Sequence, residues 1–311
     1  MNTIPTWQPA VIEPTGSGID ASPAGLAEYL RDADPGDLLA RRGAVVYRGF
    51  GVTPESYDSV AGPLLPRRLA YVHGNSPRTK VGRNVYTSTE YPPEYDISMH
   101  NELSYSHRWP ARILFYCERA AESGGATPVI DGALWLEAID PEVRTAFAAG
   151  VRYTQNLHDG VGFGKSWQAT FETEDRAEAE AFLKGADTEW EWRADGSLRI
   201  HQCRRATLRH PVTGREVWFN QADQWHPAGL GEEAALLAEV VPEDELPQHA
   251  TFADGAPIPA AYITHIRETG LRLAVDVDWR TGDLLLVDNV AVAHGRRSYT
   301  GRRRVLVAMS D

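Results

Sequence analysis

The sequence predicts a mainly β fold with helical additions, a β-sandwich or jelly roll. Three observations lead there. Many short runs rich in β-branched and aromatic residues are punctuated by Gly, Pro, Asn and Asp. The helical signals lie mostly outside that central set. Neither GxGxxG nor GxxxxGK(S/T) occurs, so no nucleotide-binding βα unit argues for a parallel sheet.

The elements follow in order. "SPAGLAEYLRDADPGDLLARRG" reads as helix: Ser22 caps it, Pro23 suits the first helical position, and Leu26, Tyr29 and Leu30 recur at helical spacing. "GAVVYRGF" (43–50) is a strand. "DPEVRTAFAAG" (140–150) is a short helix with Asp140 as cap, Pro141 first and Gly150 as stop, and "TEDRAEAEAFLKG" (173–185) is another. Further strands are expected at 112–120, 126–131, 197–203, 216–220, 283–288 and 303–309. The glycine-rich "HDGVGFGKSW" (158–167) reads as a mobile loop inside one domain rather than a linker. The expectation is a single domain over 1–311, with an N-terminal helical extension and a lid insert around 155–190.

Composition narrows the partners. The chain has 311 residues, 42% apolar and 24% charged, with a net charge of −12. That balance argues against nucleic acid and against a polybasic membrane contact. Cys117 and Cys203 read as reduced thiols. "MNTIPTWQPAVIEP" lacks a basic segment followed by an apolar core, and no apolar run nears the roughly 18 residues a bilayer needs. A cytoplasmic location is expected.

The chemistry begins at "SMHNELSY" (98–105). On a strand, His100 and Glu102 share a face. Imidazole plus carboxylate suits Fe(II), Mn(II) or Zn(II), but HxE alone is a weak signal. His294, after the strand "DLLLVD" and a connector, supplies a third ligand from a neighbouring strand. Two histidines and a carboxylate on one face of a metal are the facial triad of non-haem iron oxygenases. Arg302, Arg303 and Arg304 follow as carboxylate partners. Arg304 shares a strand face with Leu306 and Ala308, and Arg303 with Val305 and Val307; periodicity does not choose between them.

These segments, "HNELSYSHRWPARILFYCERAAESGGATPVID", "WFNQ" and "DNVAVAHGRRSYTGRRRVLVAM", resemble the TauD/TfdA family of Fe(II)/2-oxoglutarate-dependent dioxygenases, and within it the SyrP-like branch. The resemblance implies a double-stranded β-helix (jelly roll, cupin-like) core. It implies Fe(II) on His100, Glu102 and His294, with O2 and 2-oxoglutarate as co-reactants and succinate and CO2 as products. Thr127 of "GGAT" matches the threonine that contacts one carboxylate of 2-oxoglutarate. Arg304 matches the arginine for the other, and a one-residue shift moves that role to Arg303. Related halogenases have Ala or Gly where Glu102 stands, so an intact Glu102 disfavours halogenation.

The branch implies hydroxylation of an unactivated C–H of an amino acid or amino-acid-derived molecule, free or tethered to a carrier protein, in natural-product biosynthesis. The same centre can desaturate, epoxidise or cyclise. A zinc hydrolase and a non-catalytic metal-binding barrel are the competing classes. Candidate substrate contacts are Asn101, Trp167, Gln168 and Asn220, each weighed against packing or backbone support. Gln221, Tyr86, Ser88 and Tyr91 are further candidates, and Lys165 and Phe171 belong to the lid.

Overall fold

The computed structural model describes residues 7–69, 79–82, 84–89, 91–229 and 240–311. Two open sheets pack face to face. The larger has seven strands in the order Ala10–Ile12, Ala44–Tyr47, Leu284–Asp288, Arg112–Arg119, Arg304–Ser310, Val85–Thr87 and Lys80–Gly82. The smaller runs Val275–Val277, Thr127–Asp131, Val292–Arg296 and Ile97–His100. Within these two sheets pairing is antiparallel except between the first two strands of the larger one.

Side chains alternate across a strand, so each central strand of the larger sheet serves two cores. Ile113, Phe115, Leu285, Val287, Val305 and Val307 face the smaller sheet and meet Val129, Val277 and Val292. Leu114, Tyr116, Leu284, Leu286, Leu306 and Ala308 face the N-terminal helices and meet Leu26, Leu30, Val60 and Leu64. Burial on both faces explains why "DLLLVD" and "RILFYC" lack clean alternation.

The helix expected over 22–43 is two helices, Pro23–Asp32 and Pro35–Arg42. Pro35 has no N–H and its ring clashes with a preceding helical turn, so the first helix stops before it. Asp34 then caps the second through the N–H groups of Gly36 and Asp37.

Beyond the smaller sheet lies another core, with Trp135, Trp218, Trp225 and Tyr153. Gly132–Ala138 and Ala260–Leu273 enclose it; the sequence reading did not anticipate these helices. A third sheet, Glu189–Trp192, Leu198–Arg204, Val151–Leu157 and Gln248–Phe252, carries the insert. There the helices Trp167–Phe171 and Arg176–Gly185 close a separate cluster of Leu157, Trp167, Phe171, Leu183, Leu198 and Ile200. Among the described residues no helix is long and apolar enough to cross a membrane.

Candidate metal centre

The centre forms where two strands of the smaller sheet meet. His294, on Val292–Arg296, pairs directly with His100, the last residue of Ile97–His100. Their imidazole centroids are 4.4 Å apart. The register shifts just after His294, at Gly295. A Cβ at Gly295 would lie 2.5 Å from the Ile97 carbonyl oxygen, so only glycine lets the strands approach this closely.

Glu102 arrives differently from the expectation. The strand ends at His100, and residues 102–105 form a turn in which Leu103 takes φ 58°. The carboxylate therefore reaches the site by a turn rather than by sharing a strand face. Ligand atoms of His100, Glu102 and His294 all lie within 4.8 Å of one another. All three residues are buried.

The surroundings fix the donors. His100 Nδ1 lies 2.9 Å from the Ser98 carbonyl, which accepts its N–H and leaves Nε2 as the free lone pair. The His294 ring packs edge-on against Phe115, with centroids 5.1 Å apart. Two imidazole nitrogens and one carboxylate, gathered in a buried place, fit a divalent first-row metal.

A narrow cleft opens beside the histidines, lined by Ser88, Thr89, Ile97, Phe115, Thr127, Arg296 and Arg303 among others. Thr127 Oγ1 accepts a hydrogen bond from Trp279 Nε1 at 3.0 Å, so its own proton is available to a ligand oxygen. Arg303 donates to the Gly125 carbonyl at 3.0 Å and lies 3.4 Å from the Ser88 hydroxyl. Among the described residues no carboxylate pairs with it. Burial, and then the charge of Arg296, push its guanidinium down to about 10.

"GGAT" has a local reason. Gly124 and Gly125 take φ 70° and 73°. A Cβ at Gly124 would meet the Ser298 carbonyl at 2.4 Å, and one at Gly125 would meet Arg303 Cδ at 3.0 Å. The glycines let this turn lie against Arg303.

The three arginines of the run lie in different surroundings. Arg304 lies on the far face of its strand, half-exposed, with Nε 3.2 Å from Glu118. Arg303 continues the face of Val305 and Val307, which is the face that looks between the sheets. Arg302 is exposed.

The model of the taurine catabolism dioxygenase TauD, TfdA family matches residues 12–309. The chain belongs to the TauD/TfdA family. It is an Fe(II)- and 2-oxoglutarate-dependent dioxygenase, acting with O2 on a small-molecule substrate. It is 37% identical over 301 residues to the dapdiamide synthesis protein DdaC of Enterobacter agglomerans, covering 96% of this chain and 90% of that one. A clavaminate synthase-like protein of Arabidopsis thaliana is 29% identical over 316 residues, covering 97% and 93%. Among solved structures, two of PvcB, one given as from Pseudomonas aeruginosa, have a similar fold, with TM-scores 0.54 and 0.53 and 14% identity over 97% of this chain and 86% of that chain. That protein is described as an Fe, alpha-ketoglutarate dependent oxygenase from an isonitrile synthetic pathway.

Several candidates from the sequence have other employment in this TauD-family chain. Asn101 is fully buried and donates to the Asn289 and Val292 carbonyls at 2.6 and 3.2 Å, so it supports backbone. Asn220 donates to the Ala206 carbonyl and accepts from the Ala222 N–H. Trp167 fills the insert core, and its Nε1 donates to Asp159, as does Gln168 Nε2. None of these four lines the cleft. Tyr86, Trp218 and Phe219 are core residues, and Tyr91 is exposed. Ser88 does line the cleft. Lys165 is half-buried in the insert loop, and burial lowers its ammonium pKa. His73 lies outside the described residues.

The sequence reading missed Asn289, Arg296 and Trp279. Arg296 is buried beside the cleft and donates to the carbonyls of Tyr91, Pro92 and Tyr95 at 2.9, 2.6 and 2.7 Å. The "HGR" triplet was its only local signal.

Proposed function

We propose that His100, Glu102 and His294 hold the iron while Thr127 and Arg303 hold the carboxylates of 2-oxoglutarate. The observations that carry this reading are the three-donor cluster and, in the cleft that its two histidines line, a guanidinium with no carboxylate partner among the described residues. A dianionic cosubstrate would supply the missing counter-charge. When bound, iron and 2-oxoglutarate activate O2, with succinate and CO2 released. The chain's part is to orient the donors, hold the cosubstrate by its ends and keep water from the reacting bond. Glu102 would supply a carboxylate ligand where a halogenase would need room for a halide.

The reaction we favour is hydroxylation of an unactivated C–H in an amino acid or amino-acid-derived molecule, free or carrier-tethered, within natural-product biosynthesis. The name of DdaC and the pathway of PvcB support the biosynthetic setting. The chain is read as one cytoplasmic domain whose facing sheets form a double-stranded β-helix (jelly roll). The insert over 155–190 is its lid, with the glycine-rich loop as the moving part.

The test is a substrate-library screen by mass spectrometry with Fe(II), 2-oxoglutarate and O2. Hydroxylation gives a product heavier by one oxygen atom. A product lighter by two hydrogens from every accepted substrate would replace hydroxylation with desaturation.

A further inference from the structure

We propose that Asp223 and Gln224, neighbours in the short helix Ala222–Trp225, are positioning residues for the metal ligand His100. The inference rests on the metal-site reading above. Both residues grip Ser98, whose carbonyl orients the His100 ring. Gln224 Nε2 donates to that carbonyl at 3.2 Å, and His100 Nδ1 lies 2.9 Å from it. A carbonyl oxygen has two lone pairs, so it accepts both bonds. The amide thereby fixes the acceptor that sets the direction of the imidazole. The Ser98 side chain in turn interacts with the Asp223 carboxylate.

Asp223 is 3% exposed, and among the described residues its Oδ2 has no hydrogen-bond partner. Arg267 forms an ion pair with that oxygen, its Nε 3.9 Å away and beyond hydrogen-bond range. A buried carboxylate with an unused oxygen is costly unless a nearby positive charge compensates. A cation held by His100 would add to the charge that Arg267 supplies.

The support extends past Glu102. Gln224 Oε1 accepts from Gln221 Nε2 at 2.7 Å, and Gln221 Oε1 lies 3.4 Å from Ser104 Oγ. Two glutamines thus bracket the ligand turn, one at residue 98 and one at residue 104.

The test is Mn(II) binding to the full chain, followed by the electron paramagnetic resonance signal of free Mn(II), for wild type, His100→Ala, Asp223→Asn and Gln224→Met. The expected result is binding weakened roughly 10- to 100-fold in Asp223→Asn and Gln224→Met. The melting temperature of the metal-free protein should stay near wild type, which a merely structural role would not allow. Wild-type affinity in both variants, with binding lost in His100→Ala, overturns the inference. Undiminished binding in His100→Ala overturns the metal-site reading instead. If Gln224→Met does not fold, the isosteric Asp223→Asn decides by the same criterion.

Discussion

Asn289 holds Glu102 by both of its backbone groups. Asn289 Oδ1 accepts the Glu102 N–H at 2.7 Å, and Asn289 Nδ2 donates to the Glu102 carbonyl at 3.0 Å. The same Nδ2 donates to the Pro110 carbonyl at 2.9 Å. Asn101 returns the contact through the Asn289 carbonyl. The connector before His294 and the turn carrying Glu102 are therefore locked together, so the carboxylate and the second histidine are positioned by one buried amide.

Replacing Asn289 by Ala leaves the Glu102 N–H and two carbonyls unsatisfied in a dry place. Each unsatisfied group costs about 1–3 kcal/mol. Urea denaturation should show a loss of about 3 kcal/mol or more, and metal affinity should fall with it. A loss below about 1 kcal/mol would mean water replaces the amide.

The two neighbouring arginines separate cleanly. Arg303→Ala should raise the KM for 2-oxoglutarate roughly 10- to 100-fold, the worth of a charge-assisted contact of about 1.5–3 kcal/mol. Arg304→Ala removes a half-exposed pair with Glu118 and should change that KM by less than about 3-fold. Steady-state kinetics with varied 2-oxoglutarate checks both. The reverse pattern would put the clamp on Arg304 after all.

Arg296 ties the segment from Tyr91 to Tyr95 to the edge of the cleft through three carbonyls. A lysine keeps the charge but not the planar fork that spans them. Arg296→Lys should speed limited proteolysis within residues 89–96 and weaken 2-oxoglutarate binding. Unchanged cleavage would show that the segment holds itself.

Stability should fall on mild acidification. His226 and His249 are both buried, and burial holds each below its ordinary value of 6.5. The unfolded chain thus binds their protons more readily. The stability due to keeping these rings neutral is complete above 6.5 and is lost as pH falls from there through their lowered folded values. Urea midpoints at about pH 7.5 and about pH 5.5 measure the slope. His226→Gln, which keeps a donor for the Ile258 carbonyl, should flatten it.

Much of this was legible in the sequence where local chemistry dictates it. Each expected strand occurs, most of them slightly trimmed, because β-branched runs and turn residues act locally. HxE, GGAT and the distal histidine converge because glycines and strand register bring them together. The arginine run was not decidable from period two alone: choosing between Arg303 and Arg304 requires knowing which face of a doubly buried strand looks at the smaller sheet. Asn289, Asp223 and Gln224 were silent, since an amide's worth here comes from partners far away in the chain. The helix Ala260–Leu273 was missed because it has no side-chain cap at its start.

The central claim is that one cleft joins the His100, Glu102 and His294 donors to a clamp for 2-oxoglutarate. Succinate release and oxygen uptake, measured together with Fe(II) and 2-oxoglutarate for wild type and His294→Ala, test it most directly. The account predicts matched succinate and oxygen consumption in wild type and none above background in His294→Ala, with the fold retained. Turnover supported only by Zn(II), without succinate, would contradict it.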